Sequence, residues 1–446
     1  METILYMGSK KELIDFIERS INHFLGEDFQ KTFFDVFCGS GRVAYHFQNK
    51  YQVITADKQL FTKVIMDAYL CNTHPGEHYV PLIDYLNSLP MNYLEETDRW
   101  YSRTYSTDYN DGSSVGSDGK PKIWQRKNAE KIDMIRHKIE EMWLAKSISD
   151  SEKNVLLLSL ILAVNKISNV VGHQNGYLRE WCNHSCNNLI LKVPNISHNH
   201  TFKHKNYVGG IFDVLETIKD RCDIAYIDPP YGTNNKGVSI STVGRYSTFY
   251  HLWNTIVENH KPNVWGMANK PMSIKGKTFP LEMNVKAIVI PKFIRLIEEL
   301  KAKIIVFSYS NQGLLSAQDL EKIFEWGGCD IDSLVLYQTP HKMNIQTKIG
   351  KTVGDYIQRD SDTDCLYEHL YVVKKKKEHE RITEPEDKQK EYEDIGIVNK
   401  WLMKAEDRIY LPKNTLTFVD GQFLTQGQVI GVEERPELSL MEMLKL

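Results

Sequence analysis

"TFFDVFCGSGRVAYHFQNKYQVITAD" occupies residues 32–57 and contains two apolar runs separated by a segment of helical spacing. The apolar runs cover residues 32–37 and 51–57, and the helical segment covers residues 41–48. A strand, a helix and a second strand in this order are typical of a βαβ unit, which forms a parallel sheet with helices on its faces. The sequence therefore predicts an α/β fold.

Further strand-like runs at residues 222–228, 301–310 and 329–339 are expected to complete the sheet. Residues 71–200 contain a Gly-, Ser- and Asp-rich stretch and long helical segments, which predicts an inserted and mainly helical subdomain. Residues 376–446 begin with a run of balanced charges, which is typical of an exposed linker, and regain apolar residues near their end. The predicted domains are residues 1–70 with 201–375, residues 71–200 as the insertion, and residues 376–446 as a charged linker and small C-terminal appendix.

The composition is that of a globular protein in a reducing compartment. With 446 residues and 41% hydrophobic content, the chain can bury a sizeable core. The longest apolar run, residues 155–164, is too short to span a bilayer, and the N-terminus lacks a signal-peptide pattern. The 7 cysteines are scattered. We therefore expect a cytoplasmic protein without a membrane partner.

Positive charge is segregated along the chain, although the net charge is only -3. Residues 270–303 contain eight Lys or Arg against three Glu, and a second basic stretch lies at residues 99–136. Such stretches indicate either a solvated face or a surface that binds a polyanion. Charge alone leaves both interpretations open.

The turn after the first predicted strand carries Gly39 and Gly41, where the absence of side chains lets a ligand approach the backbone. The second strand ends at Asp57, where a carboxylate could accept hydrogen bonds from ribose hydroxyls. A dinucleotide would fit this pattern as well. The dinucleotide fingerprint is incomplete, however, because its third glycine is replaced by Ala44.

The third predicted strand runs directly into Asp228, Pro229, Pro230 and Tyr231. Proline cannot donate a backbone hydrogen bond, so the pair of prolines ends the strand. Taken in isolation, this motif could be a plain turn.

The stretch "WCNHSC", residues 181–186, contains potential metal ligands and has histidines downstream. The candidate ligands are Cys182, His184, Cys186, His198, His200 and His204. The C-x-H-x-C spacing is tighter than that of ordinary zinc sites, so we expect no metal.

The chain contains five motifs in one order: "YMGSKKELIDFI" (6–17), "DVFCGSG" (35–41), "NKISNVVGHQNGYLREW" (165–181), "DPPY" (228–231) and "VFSYSN" (306–311). Together they resemble the DNA adenine-N6 methyltransferases of the Dam-like group, which includes modification enzymes of type II and type IIS restriction systems. The resemblance implies a Rossmann-like mixed sheet that binds S-adenosyl-L-methionine (AdoMet). It also implies double-stranded DNA as the substrate, S-adenosyl-L-homocysteine as the product and a cognate restriction endonuclease as a partner.

The resemblance also implies roles for individual residues in cofactor binding. Gly39 and Gly41 would pass the methionyl part of AdoMet, Asp57 would hold the ribose, and Lys10 would reach the amino-acid end. Without the resemblance, Lys10 would be taken for a surface lysine. The full set of implied cofactor residues is Tyr6, Met7, Gly8, Ser9, Lys10, Asp35, Phe37, Cys38, Gly39, Gly41, Asp57, Ile211, Phe212 and Asp228.

The same resemblance makes Asp228, Pro229, Pro230 and Tyr231 the catalytic motif. The exocyclic nitrogen of adenine is a poor nucleophile because its lone pair is delocalised into the ring. The carboxylate of Asp228 and the carbonyl of Pro229 could each accept one N6 hydrogen and direct the lone pair at the methyl group. Tyr231 would stack on a base flipped out of the duplex.

DNA contacts are expected from two regions. Polar residues of the insertion would contact bases, and basic residues after the catalytic turn would contact phosphates, next to an aromatic lid at residues 244–253. The expected DNA-binding residues are Asn169, His173, Arg179, Tyr246, Lys270, Lys275 and Lys277. Two alternatives stay open, namely methylation of RNA adenine or a protein glutamine, and a catalytically silent nucleic-acid-binding module.

Overall fold

The structure is a computed structural model. It describes residues 1–28, 30–109, 112–170, 172–218, 221–232, 246–277, 279–282, 284–340, 367–377 and 411–425. The chain divides into two compact units. The first comprises Met1–Glu12, Asp35–Thr217 and Arg245–Lys277, and the second comprises Leu13–Phe34, Ile218–Gly244 and Thr278–Leu446.

The described part of the chain contains both helices and strands. The helices are α1 (Ile14–Leu25), α2 (Arg42–Phe47), α3 (Leu60–Leu70), α4 (Gly76–Asn87), α5 (Trp100–Tyr105), α6 (Arg126–Leu144), α7 (Asp150–Ile167), α8 (Ile211–Thr217), α9 (Tyr246–Phe249), α10 (His251–Glu258), α11 (Lys286–Glu299) and α12 (Ala317–Trp326). The strands are β1 (Thr32–Asp35), β2 (Gln52–Asp57), β3 (Ser106–Thr107), β4 (Trp124–Gln125), β5 (Lys205–Val208), β6 (Cys222–Ile227), β7 (Val264–Trp265), β8 (Lys270–Pro271), β9 (Ala302–Ser310), β10 (Cys329–Pro340), β11 (Tyr367–Lys375), β12 (Thr415–Val419) and β13 (Gln422–Thr425).

The predicted strand, helix and strand near the N-terminus are present as β1, α2 and β2. In the first unit, β2 pairs with β5 in parallel, with Asp57 opposite Val208. Residues 53–56 of β2 are all buried, as is usual for a parallel strand covered on both faces. Because parallel strands end at the same edge, the residues that follow β2 and β5 lie beside each other.

Residues 71–200, predicted as a mainly helical insertion, contain the helices α4, α5, α6 and α7 and lie within the first unit. The apolar run at residues 155–164 lies within α7 and is buried throughout, so it belongs to the core of the first unit. Ser149 and Glu152 form a capping box that fixes the start of α7. Among the described residues, no helix combines the length and the apolar character needed to cross a membrane.

In the second basic stretch, residues 99–136, two arginines make contacts within the first unit. Arg136 is 1% exposed and donates hydrogen bonds to the carbonyls of Ile256 and Val257 at the end of α10. Arg99 pairs with Glu130. These two arginines thus stabilise the packing of the first unit.

The second unit contains a mixed sheet in the order β13-β12-β10-β11-β9-β6-β1. β6 and β9 are parallel, whereas β11 is antiparallel to both β9 and β10. The predicted runs became β6, β9 and β10, but β11 was not predicted. Within the predicted C-terminal appendix, residues 415–425 form β12 and β13, and β12 pairs with β10 at the edge of the sheet.

Candidate active site

The turn between β1 and α2 has two positions that need glycine. Gly39 and Gly41 have φ values of +53° and +75°, a region that residues with a Cβ rarely adopt. A Cβ added to Gly39 would lie 2.9 Å from the ring of Tyr6, and one added to Gly41 would lie 1.9 Å from Met66. A side chain at either position would therefore collide with Tyr6 or with Met66.

Asp57 ties this turn to the end of β2. Its carboxylate accepts hydrogen bonds from the backbone N–H groups of Gly39 (2.9 Å) and Gln59 (2.8 Å). Burial raises the pKa of Asp57, and these two hydrogen bonds oppose that rise. The acid is thus held in a fixed position at the edge where nucleotides bind in α/β sheets.

The residues expected to contact adenine lie at the same edge. The backbone N–H of Gly209 donates to the carbonyl of Asp57 (3.0 Å), so the chain passes Asp57 immediately before α8 begins. Ile211 and Phe212 are the first residues of α8, with Ile211 buried and Phe212 half-buried. The structure thus brings the start of α8 next to Asp57 within the first unit.

The N-terminal motif packs against the segment predicted as a lid. The ring of Tyr6 stacks on Tyr250 at 4.5 Å, and the N–H of Met7 donates to the Tyr250 hydroxyl at 2.6 Å. Burial raises the pKa of Tyr6 well above its ordinary value, and the nearby Asp57 adds to this rise. Gly8 has a φ of +77°, and Tyr246 approaches it. Part of the predicted lid, residues 244–245, lies outside the described residues.

Lys10 is 5% exposed, so the surface-lysine alternative is wrong. Its neighbour Ser9 is half-buried.

Asp35 and Cys38 make hydrogen bonds that hold the glycine turn in place. Asp35 is 2% exposed, and its carboxylate accepts a hydrogen bond from Ala44 N–H at 3.2 Å. Cys38 N–H donates to the carbonyl of Ala56 at 3.0 Å. Burial, followed by the charge of Asp35, raises the pKa of the Cys38 thiol well above its ordinary value. Phe37, between them, is half-buried.

The Asp-Pro-Pro-Tyr turn follows β6 in the second unit, and Tyr231 links it to Asp228. The Tyr231 hydroxyl lies 2.8 Å from Asp228 Oδ1, 3.0 Å from Ser308 Oγ and within hydrogen-bond reach of Glu368 Oε1. Ser308 belongs to β9 and Glu368 to β11. The side chain of Tyr231 is therefore held by β9, which pairs with β6, and by β11, which pairs with β9.

The backbone of the turn is fixed as well. The Tyr231 carbonyl accepts hydrogen bonds from the Tyr309 hydroxyl (2.5 Å) and from Leu314 N–H (2.9 Å). Pro229 is buried and Pro230 half-buried. Hydrogen bonds to both the side chain and the main chain of Tyr231 thus fix the turn after β6.

Sequence reasoning missed Glu368 because it missed β11 altogether. The sequence "YEHLYVV" (367–373) contained a signal, since a lone acidic residue precedes an apolar run of strand type. Ser308 lies in the motif "VFSYSN", but the motif by itself implied no role for it. Both residues are almost fully buried, at 1% exposure for Ser308 and 6% for Glu368.

The residues expected to contact DNA bases differ in accessibility. Asn169 is 0% exposed, and its amide donates to the carbonyls of Leu178 and Glu180. It therefore holds its own loop together and offers no surface to a base in this conformation. His173 is half-buried and stacks on Phe249 at 4.6 Å, and burial lowers its pKa. Arg179 is exposed.

The three lysines lie around the β7–β8 pair. The Lys270 ammonium donates to Asn175 Oδ1 (2.8 Å) and lies 4.8 Å from the centre of the Trp265 ring. Lys275 lies 5.7 Å from the same ring centre. Lys275 and Lys277 are exposed. The ammonium groups of Lys270 and Lys275 thus both lie close to the Trp265 ring.

Among the described residues, one group of side chains has the spacing to hold a metal, namely His74, His78 and Glu152. Glu152 already accepts hydrogen bonds from His78 (2.7 Å) and from the backbone of Ser149 (2.7 Å). His78 and Glu152 are therefore already hydrogen-bonded to each other, and Glu152 also caps the start of α7. In the "WCNHSC" stretch, Cys182 Sγ lies 3.2 Å from His184 Nε2.

The D12 class N6 adenine-specific DNA methyltransferase family model matches residues 6–266. The chain belongs to this family. Its mixed α/β fold is that of the Rossmann-like methyltransferases, as the sequence predicted, and the resemblance to DNA adenine methyltransferases is confirmed.

Curated relatives of this D12-class protein are modification enzymes. Type II methyltransferase M.FokI of Planomicrobium okeanokoites is 27% identical over 83% of this chain and 52% of its own length. Modification methylase StsI of Streptococcus sanguinis is 27% identical over 96% of this chain and 61% of its own length. Type II methyltransferase M.NlaIII of Neisseria lactamica is 26% identical over 83% of this chain and 99% of its own length. The chain thus spans about half of M.FokI but almost all of M.NlaIII.

Proposed function

We propose that this chain is a site-specific DNA adenine-N6 methyltransferase that uses AdoMet as the methyl donor and double-stranded DNA as the substrate. The observation that carries the proposal is the Asp-Pro-Pro-Tyr turn, whose side chains and backbone are held by β9 and β11 in a chain of the D12 class. A turn fixed in this way suits a group that must meet a substrate in one geometry.

Asp228 and Pro229 would act on the target adenine. The Asp228 carboxylate and the Pro229 carbonyl each accept a hydrogen bond from the N6 amine, which draws the lone pair back onto nitrogen. The N6 nitrogen would form the new N–C bond as the S–CH3 bond of the donor breaks, and the N6 proton that methylation makes acidic would pass to solvent water. Tyr231 packs against the flipped base, since the target atom is out of reach inside the duplex.

AdoMet supplies a methyl group bound to a positively charged sulfur. Gly39 and Gly41 of the first unit fit such a ligand, because a turn of glycines with positive φ lets a ligand approach the backbone closely. Asp57 accepts the ribose hydroxyls, and Ile211 and Phe212 at the start of α8 contact the adenine. The segment Tyr6–Lys10 binds the amino-acid end. Asp35, Phe37 and Cys38 hold the turn that carries the glycines.

DNA recognition would divide between phosphate and base contacts. Lys270, Lys275 and Lys277 contact phosphates, and Tyr246 lies in the aromatic segment that covers the flipped base. Of the predicted base-contacting residues, Arg179 is exposed and His173 is half-buried. Asn169 is proposed to position this loop, since its amide is committed to the backbone.

The names of the relatives support a role in a restriction-modification system, with a cognate restriction endonuclease as the partner. The methyl group would then protect the endonuclease's own site.

The deciding experiment supplies radiolabelled AdoMet with DNA, RNA or protein in separate reactions. We expect label in the N6 position of adenine in duplex DNA, and label in RNA or in glutamine would replace the proposal with that alternative. The variant Asp228→Ala should lose about a hundredfold to a thousandfold in turnover, which is the scale of removing a key polar group from an active site. It should retain AdoMet affinity by calorimetry. Wild-type turnover of this variant would contradict the assigned role.

A further inference from the structure

The start of α3 is hydrogen-bonded to two parts of the proposed cofactor site. The backbone N–H of Gln59, the residue before α3, donates to Asp57 Oδ1 at 2.8 Å. The hydroxyl of Thr62, in the first turn of α3, donates to the carbonyl of Gly39 at 2.9 Å. A shift of this helix end would therefore displace both the proposed ribose acceptor and the glycine turn.

Asn254 of α10 holds this helix end from a distant part of the chain. Its side-chain oxygen accepts the backbone N–H of Phe61 at 3.1 Å, and its side-chain NH2 group donates to Gln59 Oε1. The first N–H groups of an α-helix have no acceptor within their own helix, so Asn254 supplies one of them from another element. Gln59 is 6% exposed and Phe61 is 0% exposed, so water competes little for either contact.

The residues just before Asn254 contact the other side of the proposed cofactor site. Tyr250 directly precedes α10, and its hydroxyl accepts the N–H of Met7 at 2.6 Å. Its ring stacks on Tyr6 at 4.5 Å and lies 6.2 Å from the ring of Phe61. Residues 250–254 therefore contact both the N-terminal motif and the start of α3.

We propose that Asn254 is a positioning residue for AdoMet, because it fixes the start of α3 and, through it, the ribose acceptor Asp57 and the glycine turn. The inference rests on the proposed function and deepens it. Asn254 does not touch AdoMet in this role, since it acts through Gln59 and Phe61. Groups that are held in place before the ligand arrives bind it more tightly, because less ordering is needed on binding.

The test is AdoMet binding to the whole chain, measured by titration calorimetry in the absence of DNA. Asn254→Ala removes both hydrogen bonds, and we expect the dissociation constant for AdoMet to rise about tenfold. In DNA methylation assays the KM for AdoMet should rise by a similar factor while kcat changes less than about threefold, because the loss lies in binding. A residue that only stabilised the fold would lower the active fraction and leave the affinity of the folded molecules unchanged.

A conservative variant tests whether the hydrogen bonds carry the effect. The carboxylate of Asn254→Asp still accepts the N–H of Phe61 at a helix N-terminus, where negative charge is favourable, and the Gln59 amide can rotate to donate to it. We expect its AdoMet affinity to stay within about threefold of wild type. Asn263→Ala, at an exposed position in the same unit, is the matched control and should bind AdoMet as wild type does.

A milder variant keeps the inference testable if Asn254→Ala does not fold, which thermal midpoints will show. Gln59→Ala removes one of the two contacts of Asn254 and keeps the backbone N–H that donates to Asp57. It should weaken AdoMet binding about threefold, the scale of a single neutral hydrogen bond.

Wild-type AdoMet affinity in Asn254→Ala or in Gln59→Ala would overturn the inference. An equal loss in Asn254→Asp and Asn254→Ala would overturn it as well, since the loss would then not depend on the hydrogen bond to Phe61. A wild-type chain that binds AdoMet but methylates no DNA would instead refute the proposed function and leave the role of Asn254 in AdoMet binding intact.

Discussion

Gly39 lies in the turn that is proposed to bind AdoMet, and both its backbone conformation and its neighbours disfavour a side chain. Its φ of +53° disfavours any other residue, and a Cβ there would press on the Tyr6 ring that stacks on Tyr250. Gly39→Ala should therefore weaken AdoMet binding by at least about tenfold, equivalent to ~1.4 kcal/mol. Titration calorimetry measures this affinity directly.

Gly119 offers the matched control for backbone strain. Its φ is +72°, but a Cβ there would meet nothing within 4 Å. Both alanine variants should lose about 1–2 kcal/mol of stability from the left-handed conformation. Only the Gly39 variant should lose cofactor affinity, and equal affinities would move the proposed pocket away from this turn.

At the scale of elements, Asp133 of α6 caps a different helix. Its two carboxylate oxygens accept hydrogen bonds from the N–H groups of Tyr101 (2.7 Å) and Ser102 (2.8 Å) in the first turn of α5. Such N–H groups have no partner inside their own helix. Asp133→Ala would leave two buried donors unpaired, at about 1–3 kcal/mol each. Urea unfolding should show this loss, while Asp84→Ala, at an exposed position on α4, should change stability by less than about 0.5 kcal/mol.

The same carboxylate should make stability depend on pH. Burial raises the pKa of Asp133 from 3.8 to about 6, against the opposing hydrogen bonds from Ser102 and Tyr101. The folded protein therefore holds this proton more tightly than the unfolded chain, so the contribution of Asp133 is greatest below its unfolded pKa and falls as pH rises through the folded pKa. The stability of wild type relative to Asp133→Asn should accordingly decrease between about pH 4 and pH 7. A difference that does not change with pH would place the titration of Asp133 outside this range.

At the scale of the whole molecule, the proposed function requires a chain of net charge -3 to bind a polyanion. Part of the basic segment 270–303 is neutralised in the second unit, where Lys286 pairs with Asp319 and Lys303 with Asp223. The lysines around β7 and β8 are therefore the better candidates for phosphate contacts. The triple variant of Lys270, Lys275 and Lys277 to alanine should weaken specific and random duplex binding alike.

Salt dependence distinguishes lysines that bind phosphate from lysines on a solvated face. Removing one phosphate-binding lysine should flatten the slope of log K against log salt by up to ~0.9, because fewer counterions are released. A control triple variant at the exposed positions Lys50, Lys166 and Lys203 should leave the slope unchanged. Arg179→Ala should instead relax sequence preference with little change in slope. If the first triple variant kept the wild-type slope, these lysines would belong to a solvated face.

The sequence by itself determined the elements whose signal is local. The βαβ pattern of residues 32–57, the buried run at 155–164 and the strand that ends directly before Asp228 all lie where periodicity and chain-breaking residues put them. These features depend on neighbours a few residues apart, because helix and strand periods and the limits on Pro and Gly act within that distance. The positions of Gly39 in the turn after β1 and of Asp57 at the end of β2 followed in the same way.

Only the tertiary structure decided which distant side chains come into contact and which polar side chains are buried. Glu368 reaches Tyr231 across 137 positions of sequence, through a β11 strand that local patterns did not predict. Asn169 looked like a base-contacting residue, but the return of its own loop buries it against Leu178 and Glu180. In both cases the outcome depends on packing between distant segments, which a local pattern of residue types does not encode.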